Sequence, residues 1–191
     1  MPGLQRELHL ARSITDSTCR AEALNAVVQL LAGAGESERA EQIAAEAEHV
    51  ARSIANPNSQ AGTLRTLAQI LAGAGLLTGT ERVARTISDP KFRTWALNDL
   101  VRALARAGER ERAVRIAGEV EQVAGAITDP TYHAGALRTL ARILADAGER
   151  ERAVRIAGEA ERVTRSITDP NSQARALRAL AQILAEFPGP R

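Results

Sequence analysis

Apolar residues recur along this chain at steps of three and four, and the same pattern restarts several times. Residues 129–167 show one full period. Leu137, Leu140, Ala141, Leu144 and Ala145 fall on one side of a 3.6-residue helix. The run opens at Asp129-Pro130, a strong N-cap followed by a residue suited to the first helical position. It closes at Gly148, which tolerates the left-handed conformation that ends many helices. Glu149 and Glu151 then suit the positive end of a second helix dipole, and Ala153, Ile156, Ala157, Ala160, Val163 and Ile167 form its apolar stripe. Thr168-Asp169-Pro170 begins the next period. The pattern predicts first helices near 17–34, 57–74, 90–107, 130–147 and 170–186. Second helices are expected near 36–54, 79–87, 109–127 and 149–167, and residues 4–14 read as the tail of another. No segment keeps the alternation expected of a strand.

The junctions are the most self-similar part of the chain. Ile14, Ile54, Ile87, Ile127 and Ile167 each close an Ala-Arg-Ser-Ile-like segment. After them come Thr-Asp-Ser, Ala-Asn-Pro, Ser-Asp-Pro, Thr-Asp-Pro and Thr-Asp-Pro. The spacing is even except for one shorter step, from Ile54 to Ile87. A period of about 40 residues marks an array in which one supersecondary unit stacks on itself. Turns of two to four residues force antiparallel neighbours. The expected fold is an all-α solenoid of antiparallel helix-turn-helix units. The units are a partial second helix at 4–14, then 15–54, a short one at 55–87, 88–127, 128–167, and a half unit with its stop at 168–191. Phe187-Pro188-Gly189-Pro190 is the stop. The short unit lacks seven residues, about two helical turns, which preserves the register of apolar faces. Thr78 and Glu81 are placed to form a capping box at its second helix. The deletion is either neutral or a notch that alters curvature.

A fixed frame runs through the units. Leu24, Val27, Val28, Leu31, Gly35 and Ala40 stand at i, i+3, i+4, i+7, i+11 and i+16. Leu97, Leu100, Val101, Leu104, Gly108, Ala113 and Leu137, Leu140, Ala141, Leu144, Gly148, Ala153 repeat it in full. Leu64, Leu67, Ala68, Leu71, Gly75 and Leu177, Leu180, Ala181, Leu184 repeat it in part. This spacing resembles the first-helix and turn pattern of tetratricopeptide repeats over nearly the whole chain. The full units make a longer variant, since the family's usual repeat is about 34 residues. Leu, Val or Ala stand where that family has large aromatics. A HEAT-like hairpin has a period closer to this one, but the frame and the Gly-Glu turn favour the tetratricopeptide-like alternative. The resemblance implies a right-handed superhelix whose first helices line a concave face, and partners held on that face.

Composition narrows the function. The net charge of +2 gives no global field to gather nucleic acid. Cys19 is the only cysteine, which excludes an internal disulfide and a cysteine metal site. No apolar run approaches the length of a membrane span and no charged-then-apolar leader opens the chain, so a cytoplasmic location away from membranes is expected. His9, His49 and His133 fall on different units without matched partners. Cys19 opens a helix but has no His or Asn placed around it. The glycines sit at helix junctions rather than in phosphate loops, and Glu-Arg-Glu-Arg at 109–112 and 149–152 marks solvated helix starts. The chain is expected to be non-catalytic, with no cofactor and no metal.

The candidate binding residues come from the first helices. One residue after the lead Leu stand Asn25, Arg65, Asn98, Arg138 and Arg178. Four residues on, on the same face, stand Gln29, Gln69, Arg102, Arg142 and Gln182. These two rows carry five arginines and no carboxylate, while Glu109, Glu111, Glu119, Glu121, Glu149, Glu151, Glu159 and Glu161 belong to second helices. Arg and Asn suit carboxylates, peptide backbone and phosphate. An acidic protein or peptide partner in one continuous groove is therefore expected, with Trp95 near its middle. Phe92, Trp95 and Tyr132 gather at the front of two adjacent first helices, either as a binding hot spot or as packing beside Gly62 and Gly135. Two other readings stay open. Leu4, Leu8 and Leu10 at one end and Leu177, Leu180 and Ile183 at the other lack an evident neighbour, which suits a structural array that oligomerises through its terminal repeats. The repeats also resemble the C-terminal sensor arrays of larger bacterial signalling or defence NTPases.

Overall fold

The structure, a computed structural model, describes residues 2–185, the side chains of Pro2 and Leu184 excepted. The expected stop at 187–190 lies outside the described residues. Among the described residues ten helices follow one another: α1 (Pro2–Ser13), α2 (Ser17–Gly33), α3 (Ser37–Arg52), α4 (Pro57–Gly73), α5 (Leu77–Thr86), α6 (Pro90–Arg106), α7 (Arg110–Ala124), α8 (Pro130–Asp146), α9 (Arg150–Thr164) and α10 (Pro170–Ala185). No strand occurs among the described residues. The fold is an all-α helical-repeat solenoid.

The repeated junction explains itself residue by residue. Ser13, Ser53, Thr86 and Ser166 each turn a hydroxyl back to the carbonyl three residues earlier, at Leu10, Val50, Val83 and Val163. This closes the second helix just before its apolar pattern ends. The following Ile54, Ile87, Ile127 and Ile167 are buried. Asp16, Asn56, Asp89 and Asp129 then adopt extended backbone and accept a backbone N–H three residues on, from Cys19, Ser59, Phe92 and Tyr132. Asp169 does the same with Ser172. At the other turn Gly35, Gly75, Gly108 and Gly148 have φ of +76°, +73°, +77° and +80°, the left-handed conformation that glycine alone adopts freely.

α2, α4, α6 and α8 each pack against the second helix of their own unit, and successive first helices also pack side by side: α2 on α4, α4 on α6, α6 on α8, α8 on α10. Leu24, Leu64, Leu97 and Leu137 lead rows that are fully buried, with Leu31, Leu67, Leu100, Leu104 and Leu140 behind them. The second helices stand further apart. Among the described residues, α3 and α5 are the only consecutive pair whose Cα atoms come within 8 Å of each other. The tighter first-helix layer is the inner one of the curved stack.

Ion pairs bridge the wider outer layer. Glu121 on α7 receives Arg152 at 2.5 Å and Arg155 at 2.8 Å from α9. The equivalent Glu81 on α5 receives Arg112 at 2.8 Å from α7, with Arg115 at 3.8 Å, and Glu48 on α3 receives Arg82 from α5. Arg12 to Glu46 at 2.6 Å and Arg85 to Glu119 at 2.7 Å run in the opposite sense. The Glu-Arg-Glu-Arg starts are thus partly stitching residues, a role their solvated pattern does not show.

Three sequence expectations need correction. α5 begins at Leu77 on an uncapped Leu76, ahead of its expected start at 79, so Thr78 and Glu81 form no capping box; Glu81 turns to α7 instead. Leu180 and Ile183 are only 2% exposed, because α10 uses them to pack on its predecessors. Leu177 and Leu10 remain exposed.

Leu140 has 0% exposure between its two helices. Leu140→Ala is expected to cost about 2–5 kcal/mol in chemical denaturation. A loss below about 0.5 kcal/mol would contradict that burial. Glu121→Gln removes the acceptor of two guanidiniums and is expected to cost about 1 kcal/mol at low salt. The difference from the parent should shrink in about 0.5 M salt, roughly where the Debye length falls below 5 Å.

Candidate functional site

The inner face is built from the solvent side of α2, α4, α6, α8 and α10. Not every residue expected there reaches it. Asn25 and Asn98 are 3% and 1% exposed. Each donates its side-chain amide to a carbonyl of the next first helix, Asn25 to Thr63 at 3.2 Å and Asn98 to Ala136 at 3.3 Å. These are core ties between neighbouring units, so the expected groove is not one continuous strip. An Asn side chain is short enough to stay in the seam, whereas Arg at the same place in the repeat extends beyond it.

Arg65 takes another course. Its guanidinium lies 5.6 Å over the ring of Trp95 and 3.8 Å from Asp99, which also receives Arg102 at 3.0 Å. Asp99 follows Asn98 directly and stands outside both candidate rows. Burial pushes its carboxyl above the ordinary value, against the opposing pull of Arg102 and Arg65.

The remaining candidates divide between two troughs. Between α2 and α4, two adjoining depressions of about 560 and 480 Å³ share Gln29, Thr66 and Ile70, and Gln69 lines the larger. Between α8 and α10, a depression of about 360 Å³ brings together Arg102, Arg138, Arg142 and Gln182, with Asp146 on its border. Arg138 continues into a neighbouring depression of about 280 Å³ that also holds Thr131, Ser172 and Arg175. Neither Arg138 nor Arg142 makes an ion pair with any described residue. Arg178 is exposed on α10 and lines neither of these last two depressions.

Trp95 meets Phe92 edge-on at 5.4 Å and Tyr132 at 6.0 Å. Phe92 packs over Gly62, where an added Cβ would lie 3.9 Å from the ring, and Gly135 leaves open space. Lys91, the only lysine of the chain, sits among the rings at 4.5 Å from Phe92, 4.7 Å from Tyr132 and 5.7 Å from Trp95. Its position four residues before Trp95 is the signal the sequence offers for this contact.

The thiol of Cys19 is exposed, and the hydrogen bond with Asp16 holds it above its ordinary pKa, the wrong direction for a nucleophile. Among the described residues no group of three or more His, Cys, Asp or Glu is placed to hold a metal ion. No described helix is long and apolar enough to cross a membrane.

No protein-family model matches the chain, and no curated protein matches it. The crystal structure of Ton1535 from Thermococcus onnurineus NA1 is similar in fold, with a TM-score of 0.57 and 20% identity over 83% of this chain. The chain spans 45% of the length of that protein.

One row has a further role. Gln60 and Gln173 reach back to terminal carbonyls of the preceding second helix, at Arg52 and Ile54 and at Thr164, Arg165 and Ile167. His133 occupies the same place on α8, but its buried Nε2 has no partner. Burial holds its pKa below the ordinary value, and Glu159 pulls weakly the other way. The unfolded chain therefore binds more protons just below about pH 6.5, and stability is lost as pH falls from there through the folded value. His133→Gln is expected to flatten this slope in urea titrations between pH 7.5 and 5, leaving stability at pH 7.5 equal or higher.

Proposed function

We propose that this chain is a non-catalytic interaction array of the tetratricopeptide-like kind, which holds an acidic segment of a partner protein on its first-helix face. One observation supports this above the others: Arg138 and Arg142, with Arg102, converge on an open depression, and the first two have no carboxylate partner among the described residues. Most outer-layer arginines, by contrast, are paired. Arg138 and Arg142 are one helical turn apart, so their like charges repel. A carboxylate between them relieves that repulsion and accepts charge-assisted, bidentate hydrogen bonds. Gln182 adds an uncharged donor and acceptor at the same border.

Capture with the intact chain should retrieve proteins that bind through acidic segments. Arg138→Glu with Arg142→Glu should abolish that binding while circular dichroism stays unchanged. Raising salt from about 0.05 to 0.3 M should weaken the parent complex, because exposed charge pairs are screened. Normal binding by the double variant would remove this face from consideration.

A further inference from the structure

We infer that the partner segment is bipartite: acidic residues sit in the α8–α10 trough, and an uncharged stretch about eight residues away lies along the α2–α4 trough, hydrogen-bonded through its backbone. The inference rests on the acidic-segment reading and adds a second site to it.

The two ends of the inner face differ in chemistry at the same repeat positions. Gln29 and Gln69 become Arg102 and Arg142 before Gln182 restores the amide on α10, and Gly33 and Gly73 become Arg106 and Asp146. The switch occurs at α6. In the α2–α4 trough the exposed amides of Gln29 and Gln69 make no hydrogen bond with any described residue. A carboxamide both donates and accepts, which matches the N–H and C=O of an extended peptide. Asn25 borders the same trough, and its buried Oδ1 is an acceptor without a partner. Ala32, Gly33, Gly73 and Ala74 form a low wall, and nothing lies within 4 Å of a Cβ built on either glycine. A main chain can approach closely over such a wall. Each trough has one carboxylate at its border, Glu22 here and Asp146 at the other, but no arginine lines the α2–α4 trough to offset Glu22, so acidic residues are disfavoured there.

The seam between the troughs is filled. Arg65 lies over Trp95 and reaches Asp99, spanning α4 to α6. From the α2–α4 trough to the α8–α10 trough is three helix-to-helix steps of about 8–10 Å. An extended chain rises about 3.3 Å per residue, so about eight residues cross that distance.

Selection on the full chain of displayed random peptides, long enough to reach both troughs, tests this. Enriched peptides should carry two or three Asp or Glu separated by about eight residues from a second conserved, uncharged stretch. Gln29→Ala with Gln69→Ala and Arg138→Glu with Arg142→Glu should each weaken them about tenfold or more. Shortening the spacer to three residues should weaken them similarly. Peptides that ignore the glutamine variant or the spacer overturn the bipartite segment and leave the acidic reading standing. Peptides without acidic residues, peptides that ignore the arginine variant, or no enrichment at all overturn both.

Discussion

The side-by-side packing of successive first helices is the contact on which the rest depends. Leu24, Leu64, Leu97 and Leu137 are buried where a first helix meets its own second helix and the neighbouring unit, together with small buried residues such as Ala68, Ala96, Ala136 and Ala141. Small side chains let two helices approach closely, and close approach is what gives dispersion its collective weight. The Asn25 and Asn98 amides pin neighbouring helices in the same seam. Once that register is set, equivalent positions of every unit fall into rows across the inner face. A surface that spans several units then follows from one local contact repeated.

The outer layer solves a different problem. The second helices stand further apart than the first helices. Arg and Glu bridge that distance, because their long stems carry the charge outward. Paired in this way, the outer charges largely neutralise one another. The net charge of +2 therefore conceals a division of labour: the outer arginines are mostly occupied in bridging units, while Arg138 and Arg142 on the inner face are not.

Helix positions were legible because their signals are local. An Asp before Pro, a glycine at a left-handed turn and a 3.6-residue stripe act within a few residues of themselves, and the observed helices keep to them. The α5 start was misplaced because Thr78-x-x-Glu81 is also local, yet Glu81 found stronger partners on the next unit. The candidate site was only partly legible for the same reason. Position in the repeat brings Arg102, Arg138, Arg142 and Gln182 to one depression, but side-chain length and neighbours decide the rest. Asn25 and Asn98 are too short to leave the seam, and Arg65 is drawn aside by Trp95 and Asp99. Such choices depend on the residue one whole unit away, which no short window along the sequence contains.

The short unit shows how far the two layers are independent. Its seven missing residues all fall after the first helix, from α5 (10 residues against 16, 15 and 15 in α3, α7 and α9) and the turn that follows it, and α4 still packs on α2 and on α6. The shortened α5 lies close to α3, a Cβ added at Gly79 would stand 3.4 Å from Leu71, and Thr80 is fully buried. Arg82 and Arg85 still reach Glu48 and Glu119, so the ionic bridges to both neighbours survive. A change of two helical turns on the outside therefore leaves the inner rows in place. A loss of the same size from a first helix would remove two turns of lead positions and break the rows at that unit. The inner surface, where the troughs and the unpaired guanidiniums lie, is the layer of this fold that cannot absorb a change of length.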